Sequence, residues 1–256
     1  DVNSRYSKYE LARLDSGVSY TDFIDLSSFE RPDAIIPYRN VYLVLAALNW
    51  VERDYPLELL ESNETIEIAI GATAGDRVLD KSPEFAEKLS DLLTYLSLPQ
   101  HWTNNRSRKV EVVLPYKDKT KRWLVREYLF KGYDGQKLIT ESLSCYDPDS
   151  RGNPCGVCKP CIRKAVALVL EGVMSPRSEL ACKAFETIQE QIIPKIREGT
   201  YGRGQEEESE ILEFVEIIKS SSLDSIAVDF DGTLAKLAPF PEFGPLNIPL
   251  IGRLKE

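Results

Sequence analysis

Apolar and polar positions change regularly along the first 140 residues, and the pattern predicts strands and helices in alternation. Residues 65–71 (TIEIAIG) and 109–114 (KVEVVL) alternate with a period of two, which is typical of half-buried strands. Residues 40–51 are almost continuously apolar and too long for a strand, so they predict a buried helix. Further helices are predicted at residues 82–98 and 119–130. This alternation predicts an α/β fold with a doubly wound parallel sheet covered by helices on both faces.

The rest of the chain adds mainly helices. In chain order the pattern predicts a helix at 4–14, a strand at 22–26, helices at 162–172, 178–198 and 206–221, and a short apolar strand at 225–230. The acidic run at residues 206–208 is expected to be a solvated helix start, where negative charge suits the helix dipole.

Composition and charge narrow the class of protein. The 256 residues suit one or two domains, and 32 Lys and Arg against 41 Asp and Glu give a net charge of −9. Such an acidic chain argues against a broad nucleic-acid-binding surface. No apolar run is long enough for a membrane helix and no signal peptide opens the chain, so a cytoplasmic protein is expected. Because the chain starts at Asp1 and its single methionine is Met174, we expect that residues preceding Asp1 have been removed.

Four of the five cysteines crowd into seventeen residues. Cys145, Cys155, Cys158 and Cys161 are separated by nine, two and two residues, a spacing that lets the thiolates turn toward one tetrahedral ion. Four thiolates with no open position predict a structural zinc site rather than a catalytic one. An iron–sulfur cluster, buried free thiols and a redox pair are the alternatives. Cys182, alone on a predicted helix, is expected to be a small core residue.

The cysteine cluster also carries a family resemblance. Residues 143–146 (LSCY) and 154–163 (PCGVCKPCIR) resemble the zinc-binding tail of the 7-cyano-7-deazaguanine synthase family, also called the QueC or ExsB family. Other segments follow in that family's order. IPYRN at 36–40 resembles its V-P-x-R-N, and the predicted strand at 66–71 resembles its I-x-x-G. SPEF at 82–85 resembles its R-P-E-F, and Pro115 and Lys121 match a proline that is followed six residues later by a lysine. The resemblance covers about residues 1–172.

The resemblance implies a fold and a reaction. The fold is the PP-loop, adenine-nucleotide alpha-hydrolase type, which is Rossmann-like. In the implied reaction ATP activates the carboxylate of 7-carboxy-7-deazaguanine as an adenylate, ammonia gives an amide, and a second activation gives the nitrile. Such a site must bind phosphates through backbone N–H groups and offset their charge with magnesium, Lys or Arg. Structural zinc, ATP and magnesium are therefore the implied cofactors.

The chain departs from the family pattern in two places. The Ser-Gly-Gly-x-Asp-Ser pyrophosphate loop would lie about forty residues before Asp1, so the sequence does not contain it. The family's Y-P-D-C-R-P-E-F becomes VLDKSPEF at residues 78–85, and the Asp-Cys-Arg that helps to shape the acceptor site is lost. The second change leaves the acceptor open: a related carboxylate, or a protein or nucleic-acid conjugate.

Five residues are the candidates for binding substrate or nucleotide. Arg39 can pair with a carboxylate or phosphate and the Asn40 amide can read a purine edge, although both could simply serve a helix start. Lys121 could face ATP phosphates or water. Gly71 and Thr73 follow a predicted strand, where ligands of α/β sheets bind.

Residues 226–234 (IAVDFDGTL) resemble the first motif of the haloacid-dehalogenase (HAD) phosphatases. That resemblance makes Asp229 the nucleophile and Asp231 the general acid and base, with magnesium offsetting their charge. The alternative is a strand that ends in an Asp-Gly turn. Only 28 residues remain from Asp229 to the end of the sequence, including Asp229 itself, too few for a phosphatase, so we expect here the first strand of a second α/β domain that continues beyond the sequence.

Together these observations predict three regions: a synthase-like domain at 1–175, a helical extension at 176–222, and the beginning of an HAD-like domain at 223–256. Three functions stay open. The first is an ATP-dependent synthase that uses ATP, ammonia and a small deazapurine carboxylate. The second is a relative that acts on another acceptor, or binds a deazapurine or a partner without catalysis. The third is a phosphatase with a QueC-like recognition domain. Whether the protein forms a homodimer or binds a partner protein is also open.

Overall fold

The structure is a computed structural model that describes residues 24–31, 35–56 and 64–223. The predicted helix at 4–14, the strand at 225–230 and the HAD-like residues Asp229 and Asp231 lie outside these ranges. The prediction of a strand at 22–26 is wrong for its described residues. Residues 24–26 form no strand and lead into a 3-10 turn, Ser27–Phe29. Asp25 explains the difference: its carboxylate accepts hydrogen bonds from the backbone N–H (3.0 Å) and hydroxyl (2.6 Å) of Ser27, which favours a turn.

The two central strands form as predicted. Strand β1 (Glu64–Ala69) pairs in parallel with β2 (Arg108–Val113), with Glu64 opposite Arg108 and Ala69 opposite Val113. On the outer side of β2 the N–H groups of Val110 and Val112 donate to side-chain hydroxyls of the neighbouring helix, Thr94 (3.0 Å) and Ser90 (2.8 Å). Because these groups are already satisfied, β2 is an edge strand of the described sheet.

Helices α1 (Arg39–Asp54) and α2 (Pro83–Leu96) enclose the main core of this region. The Ser82 hydroxyl accepts from the Phe85 N–H at 3.1 Å and Pro83 occupies the first turn, as the sequence predicts. The core residues are apolar and come from both helices and both strands: Val44, Ile68, Ala86, Leu89, Leu93, Val110 and Val112. The prediction that α1 is buried is wrong for much of its surface, because only Asn40 and Val44 are buried and Leu43 and Leu45 are exposed. A single stripe of α1 faces the sheet.

Helices α3 (Lys121–Phe130), α4 (Gly135–Thr140) and α5 (Lys159–Leu170) follow. Thr120 caps α3 by accepting from the Trp123 N–H at 3.2 Å. The sequence analysis did not anticipate α4, which begins where Asp134 accepts from the Gln136 N–H at 2.9 Å. Helix α5 starts at Lys159, earlier than predicted, and seven of its twelve residues are buried.

The helix predicted at 178–198 is interrupted. It consists of α6 (Glu179–Thr187), a π-helical turn (Ile188–Ile192) and α7 (Ile193–Arg197). Pro194 has no N–H to donate to the preceding turn, which accounts for the wider turn before it. Cys182 is exposed, so its predicted place in the core is wrong: Ala181 and Ala184 occupy the buried face of α6 instead.

Helix α8 (Gln205–Leu223) is the last described element. The chain divides into two compact units, residues 1–215 and 216–256, and the described part of the second unit is the end of α8. Among the described residues, no helix combines the length and the apolar character that crossing a membrane requires.

Candidate functional site

The four clustered cysteines converge at the start of α5. Cys161 lies in the first turn of α5, Cys158 precedes it, and Cys145 and Cys155 come from the loop before. Their four Sγ atoms all lie within 4.8 Å of one another. The backbone N–H groups of Asp147 and Cys155 donate to Cys145 Sγ, each at 3.2 Å, as amides do toward a thiolate. The loop backbone therefore already supports negative charge on sulfur.

The charge balance of this cluster favours a bound cation. A hydrogen bond between the thiols of Cys158 and Cys161 lowers the pKa of Cys158 to about 5 and raises the pKa of Cys161. Burial raises the pKa of the Cys145 thiol. Four thiols at this separation cannot all ionise unless a cation offsets the repulsion between them. The donor set and its compactness fit one tetrahedral zinc ion held by four sulfurs.

A second cluster lies at the carboxyl end of β1, in the loop of residues 73–77. The Thr73 N–H donates to Asp76 Oδ2 at 3.1 Å and the Ala74 N–H donates to the Lys119 carbonyl at 2.9 Å. Burial alone would raise the pKa of Asp76, but the Thr73 N–H and the cations Lys81 and Arg163 hold it below its usual value. The Asp76 carboxylate is therefore ionised and attracts cations.

Three cations from different parts of the chain surround Asp76. Lys81 Nζ lies 3.3 Å from Oδ2, while a terminal guanidinium nitrogen of Arg163 lies 3.4 Å from Oδ1 and one of Arg203 lies 3.5 Å from it. Arg163 also donates to the Ala74 carbonyl at 2.8 Å and to Thr73 Oγ1 at 3.1 Å. Arg163 thus joins α5, two residues after Cys161, to the loop that follows β1.

Lys121 lies in this second cluster rather than in open solvent. It lines a small pocket together with Arg163, Glu207 and Glu210. Burial and the nearby Arg163 lower the pKa of Lys121, while Asp76 raises it. The Thr120 hydroxyl just before it donates to Glu210 Oε1 at 2.7 Å.

A cleft of about 460 Å³ opens beside the second cluster, between α1 and the end of β1. Its lining is mixed: apolar residues come from α1 and the end of β1, and the polar side chains are Arg39, Asn40 and Lys81. Arg39 is exposed, whereas Asn40 is buried and its Nδ2 donates to the Asp80 carbonyl at 3.1 Å. Asn40 thus holds the 3-10 turn that carries Lys81 and does not cap the helix.

The structure therefore places the predicted residues in two adjoining groups. Arg39, Asn40 and Gly71 line the cleft, while Thr73 and Lys121 lie in the cluster beside it. Their binding roles stay predictions. The sequence analysis missed Asp76, Lys81, Arg163, Arg203 and Glu207 as site residues. Arg163 could have been found, since it follows the last cysteine of the motif on the same helix.

The comparisons with known proteins agree with the geometry. Residues 7–171 match the family described as "Queuosine biosynthesis protein QueC", which is more than half of the chain. The chain belongs to the QueC family. This match ends before the HAD-like residues 226–234, whose resemblance stays a prediction. No solved structure matches the chain.

Three curated relatives of this QueC-family chain are each named 7-cyano-7-deazaguanine synthase. The protein of Rickettsia peacockii is 28% identical over 160 residues, which cover 60% of this chain and 65% of the relative. That of Dechloromonas aromatica is 26% identical over 148 residues, covering 57% and 58%. That of Hydrogenovibrio crunogenus is 30% identical over 135 residues, covering 51% and 53%. The alignments thus span between about half and two thirds of these curated relatives.

Proposed function

We propose that this chain is part of an ATP-dependent ligase of the 7-cyano-7-deazaguanine synthase type. It would adenylate the carboxylate of 7-carboxy-7-deazaguanine and convert it with ammonia to the nitrile. The observation that carries the proposal is the group of cations at the carboxyl end of β1, where Lys81, Lys121 and Arg163 lie at or beside a cleft with both polar and apolar lining. That edge of a parallel sheet is where ligands of α/β proteins bind.

The chemistry needs positive charge at this place. When the substrate carboxylate attacks the α-phosphorus of ATP, a bond to oxygen forms and pyrophosphate leaves with added negative charge. Lys121 and Arg163 are the side chains that would stabilise this charge, because both lie in a partly dehydrated cluster where electrostatic interactions are strong. Magnesium bound with ATP would supply further charge compensation. The zinc held by the four cysteines would be structural, fixing the start of α5 and thereby Arg163.

The cleft suits a planar ring that carries an anionic group. Val44 and Ile68 provide apolar contact, and Arg39 at the rim can pair with a carboxylate or phosphate. Lys81 adds a second cation within the segment 78–85 that departs from the family pattern. Its presence supports an acceptor that differs from the standard substrate, as the second candidate function.

Further expectations belong to the same proposal. We infer that β1 and β2 are part of a doubly wound PP-loop sheet, with β2 at its edge, in a cytoplasmic protein. The alternation of helices and strands supports this fold. Catalysis by Asp229 and Asp231 would require a complete HAD-like domain after residue 223 and is a separate prediction.

The direct test measures AMP release by the full-length protein that contains this chain, supplied with ATP, magnesium, ammonia and 7-carboxy-7-deazaguanine. We expect AMP release that depends on the deazapurine. We expect Lys121→Met to reduce kcat/KM on the order of 100-fold, the typical effect of removing one charge-stabilising group. Lys131→Met, on the exposed end of the same helix, is the matched control.

Two results would decide against the proposal. Absence of AMP release with any deazapurine carboxylate would exclude the synthase, and nucleotide-independent binding of the deazapurine would then favour a binding role. AMP release only with another carboxylate would support the second candidate function.

A further inference from the structure

Residues 199–210, referred to here as the 199–210 segment, follow the part of the chain that matches the QueC family, yet they reach its candidate site. The segment joins α7 to α8 and includes the first turns of α8. Arg203 and Glu207, two of its side chains, contact the second cluster directly. The family match ends at residue 171, so the match does not account for this contact.

The carboxylate of Glu207 is the centre of the contact. Arg163 Nη2 lies 3.1 Å from Oε2, Arg203 Nε lies 3.0 Å from Oε1, and the Tyr201 hydroxyl donates to Oε1 at 2.8 Å. Only 6% of the Glu207 side chain is exposed, and 11% of that of Arg163. The pair is thus largely removed from water, which makes its geometry more restrictive than that of a surface ion pair. The expected solvated helix start at residues 206–208 is therefore wrong for Glu207, while Glu206 is exposed as expected.

The same segment contacts the loop after β1. A terminal guanidinium nitrogen of Arg77 donates to the Tyr201 carbonyl at 2.6 Å. At Gly75, where φ is +76°, a Cβ atom would come within 2.8 Å of the Arg203 carbonyl oxygen. The backbone of the segment therefore lies directly against residues 75–77, and its position constrains the conformation of that loop.

Charge explains why Glu207 matters for an anionic ligand. Lys81, Lys121, Arg163 and Arg203 crowd around Asp76, and without further carboxylates their repulsion would push the guanidinium groups toward solvent. Glu207 offsets part of this charge through an ion pair: its Oε2 lies 3.1 Å from Arg163 Nη2, the same nitrogen that donates to the Thr73 hydroxyl and the Ala74 carbonyl. The cluster retains enough cations to attract phosphate groups, and Arg163 keeps one orientation.

We propose that the 199–210 segment completes the nucleotide-binding part of the site, with Glu207 as a positioning residue that holds Arg163 toward the loop after β1. The inference rests on the proposed function, because it assigns the phosphates of ATP as the ligand of this cluster. Fixing a long cationic side chain before the ligand binds removes an entropic cost from binding, and a misplaced one weakens it.

The test compares steady-state kinetics of the full-length protein and four variants. Glu207→Gln keeps the shape and removes the charge, so we expect the KM for ATP to rise about tenfold, the loss of one charge-assisted contact. Tyr201→Phe removes a single hydrogen bond to Glu207 and should raise the KM for ATP about threefold. Glu206→Gln, one residue away and exposed, removes the same charge outside the ion pairs and should leave the KM unchanged. Glu207→Asp should recover part of the loss.

The KM for ATP separates a positioning role from a structural one. A variant that only folds less well lowers the apparent kcat in proportion to the folded fraction and leaves the KM of the folded molecules unchanged. An unchanged KM for ATP in both Glu207→Gln and Tyr201→Phe would therefore overturn the inference. A lower KM in Glu207→Gln would also overturn it, because Glu207 would then compete with phosphate. If the unsubstituted protein releases no AMP, the proposed function fails, and the inference with it.

Discussion

Asp76 organises the candidate site at the scale of single residues. Its carboxylate accepts the Thr73 N–H and lies within 3.5 Å of cationic nitrogens from Lys81, Arg163 and Arg203. These three cations come from a 3-10 turn, from α5 and from the 199–210 segment. One half-buried carboxylate with a lowered pKa thus connects regions that are far apart in the chain.

The cysteine ligands give a first prediction. Cys161→Ser should reduce bound zinc from about one equivalent to a small fraction, because a neutral hydroxyl is a poor substitute for a buried thiolate ligand. Metal analysis of the purified protein measures this directly. Cys182→Ser is the matched control, since Cys182 is exposed and lies outside the cluster, and it should keep its zinc. Full zinc content in Cys161→Ser, or an iron chromophore in the unsubstituted protein, would contradict the assignment.

Glu210 gives a prediction for pH. Burial raises its pKa, although the Thr120 hydroxyl lowers it, and Glu206 raises it further. Because its carboxylate ionises less readily in the folded protein than in the unfolded chain, its contribution to the free energy of unfolding is present at low pH and lost as pH rises through the folded pKa. Glu210→Gln should therefore gain stability relative to the unsubstituted protein as pH rises above about 4, the ordinary pKa of a Glu carboxyl.

Urea unfolding at several pH values would measure that difference. The exposed Glu198→Gln makes the same substitution outside the cluster and is the control. A constant difference for Glu210→Gln would show that burial does not perturb this carboxyl.

Sequence motifs reveal only some of these residues. The cysteines were predicted from their spacing, and Thr73 from its place after a strand. Arg203 and Glu207 were not, because only tertiary packing brings Arg203 to Asp76, which is more than a hundred residues away, and Glu207 to Arg163. A run of three glutamates at a helix start gives no sign that its middle member is buried.

At the scale of elements, the loop of residues 73–77 is held from two sides. Arg163 of α5 bonds its Thr73 hydroxyl and Ala74 carbonyl, and the 199–210 segment contacts Gly75 and Arg77. Gly75 has a positive φ, which glycine adopts readily, and the Arg203 carbonyl lies too close for a side chain. Both features favour glycine at this position.

Gly75→Ala tests this junction against a matched glycine. Gly132 has a similar φ of +80°, but a Cβ atom there would meet nothing within 4 Å. Gly132→Ala should cost about 1 kcal/mol of unfolding free energy, from the backbone alone. Gly75→Ala should cost about 3 kcal/mol, because the new methyl group also displaces the Arg203 carbonyl. Equal losses of unfolding free energy in the two variants, measured by denaturant unfolding, would show that the 199–210 segment does not restrict the loop at Gly75.

Regular elements were predictable and irregular ones were not. The period-two pattern predicted β1 and β2, and the Ser82-Pro83 pair predicted the start of α2. The π turn before Pro194 and the short α4 depend on local hydrogen bonding that periodicity does not register. Apolar residues on several faces of α1 suggested full burial, whereas one stripe faces the core. The hydrophobicity of a helix alone does not indicate which of its faces are buried.

At the scale of the molecule, α5 joins the cysteine cluster to the candidate site around Asp76. Cys161 and Arg163 are two residues apart on this largely buried helix. Displacement of the first turn of α5 would therefore move Arg163 away from Asp76 and Glu207. The zinc site is expected to support both the fold and the charge arrangement.

Removal of zinc by a chelator tests this link. We expect the thermal unfolding midpoint to fall by about 10 °C, since a structural zinc site contributes several kcal/mol and each kcal/mol shifts the midpoint by a few degrees. The KM for ATP, measured below the lower midpoint, should rise in the same chelator titration. Zinc added back should restore both values, and magnesium should not. A KM for ATP that stays constant while zinc is lost would show that the cysteine cluster does not influence the cluster around Asp76.

The ion pair between Arg163 and Glu207 has a consequence for modular engineering. A chimera that ended the synthase-like domain near residue 175 would include every cysteine ligand and both strands of the described sheet. It would still lose one of the two carboxylate partners of a nearly buried guanidinium and expose the loop that the segment covers. A working transplant of this domain should therefore extend at least to residue 210, with Gly75, Arg163, Arg203 and Glu207 transferred as one unit.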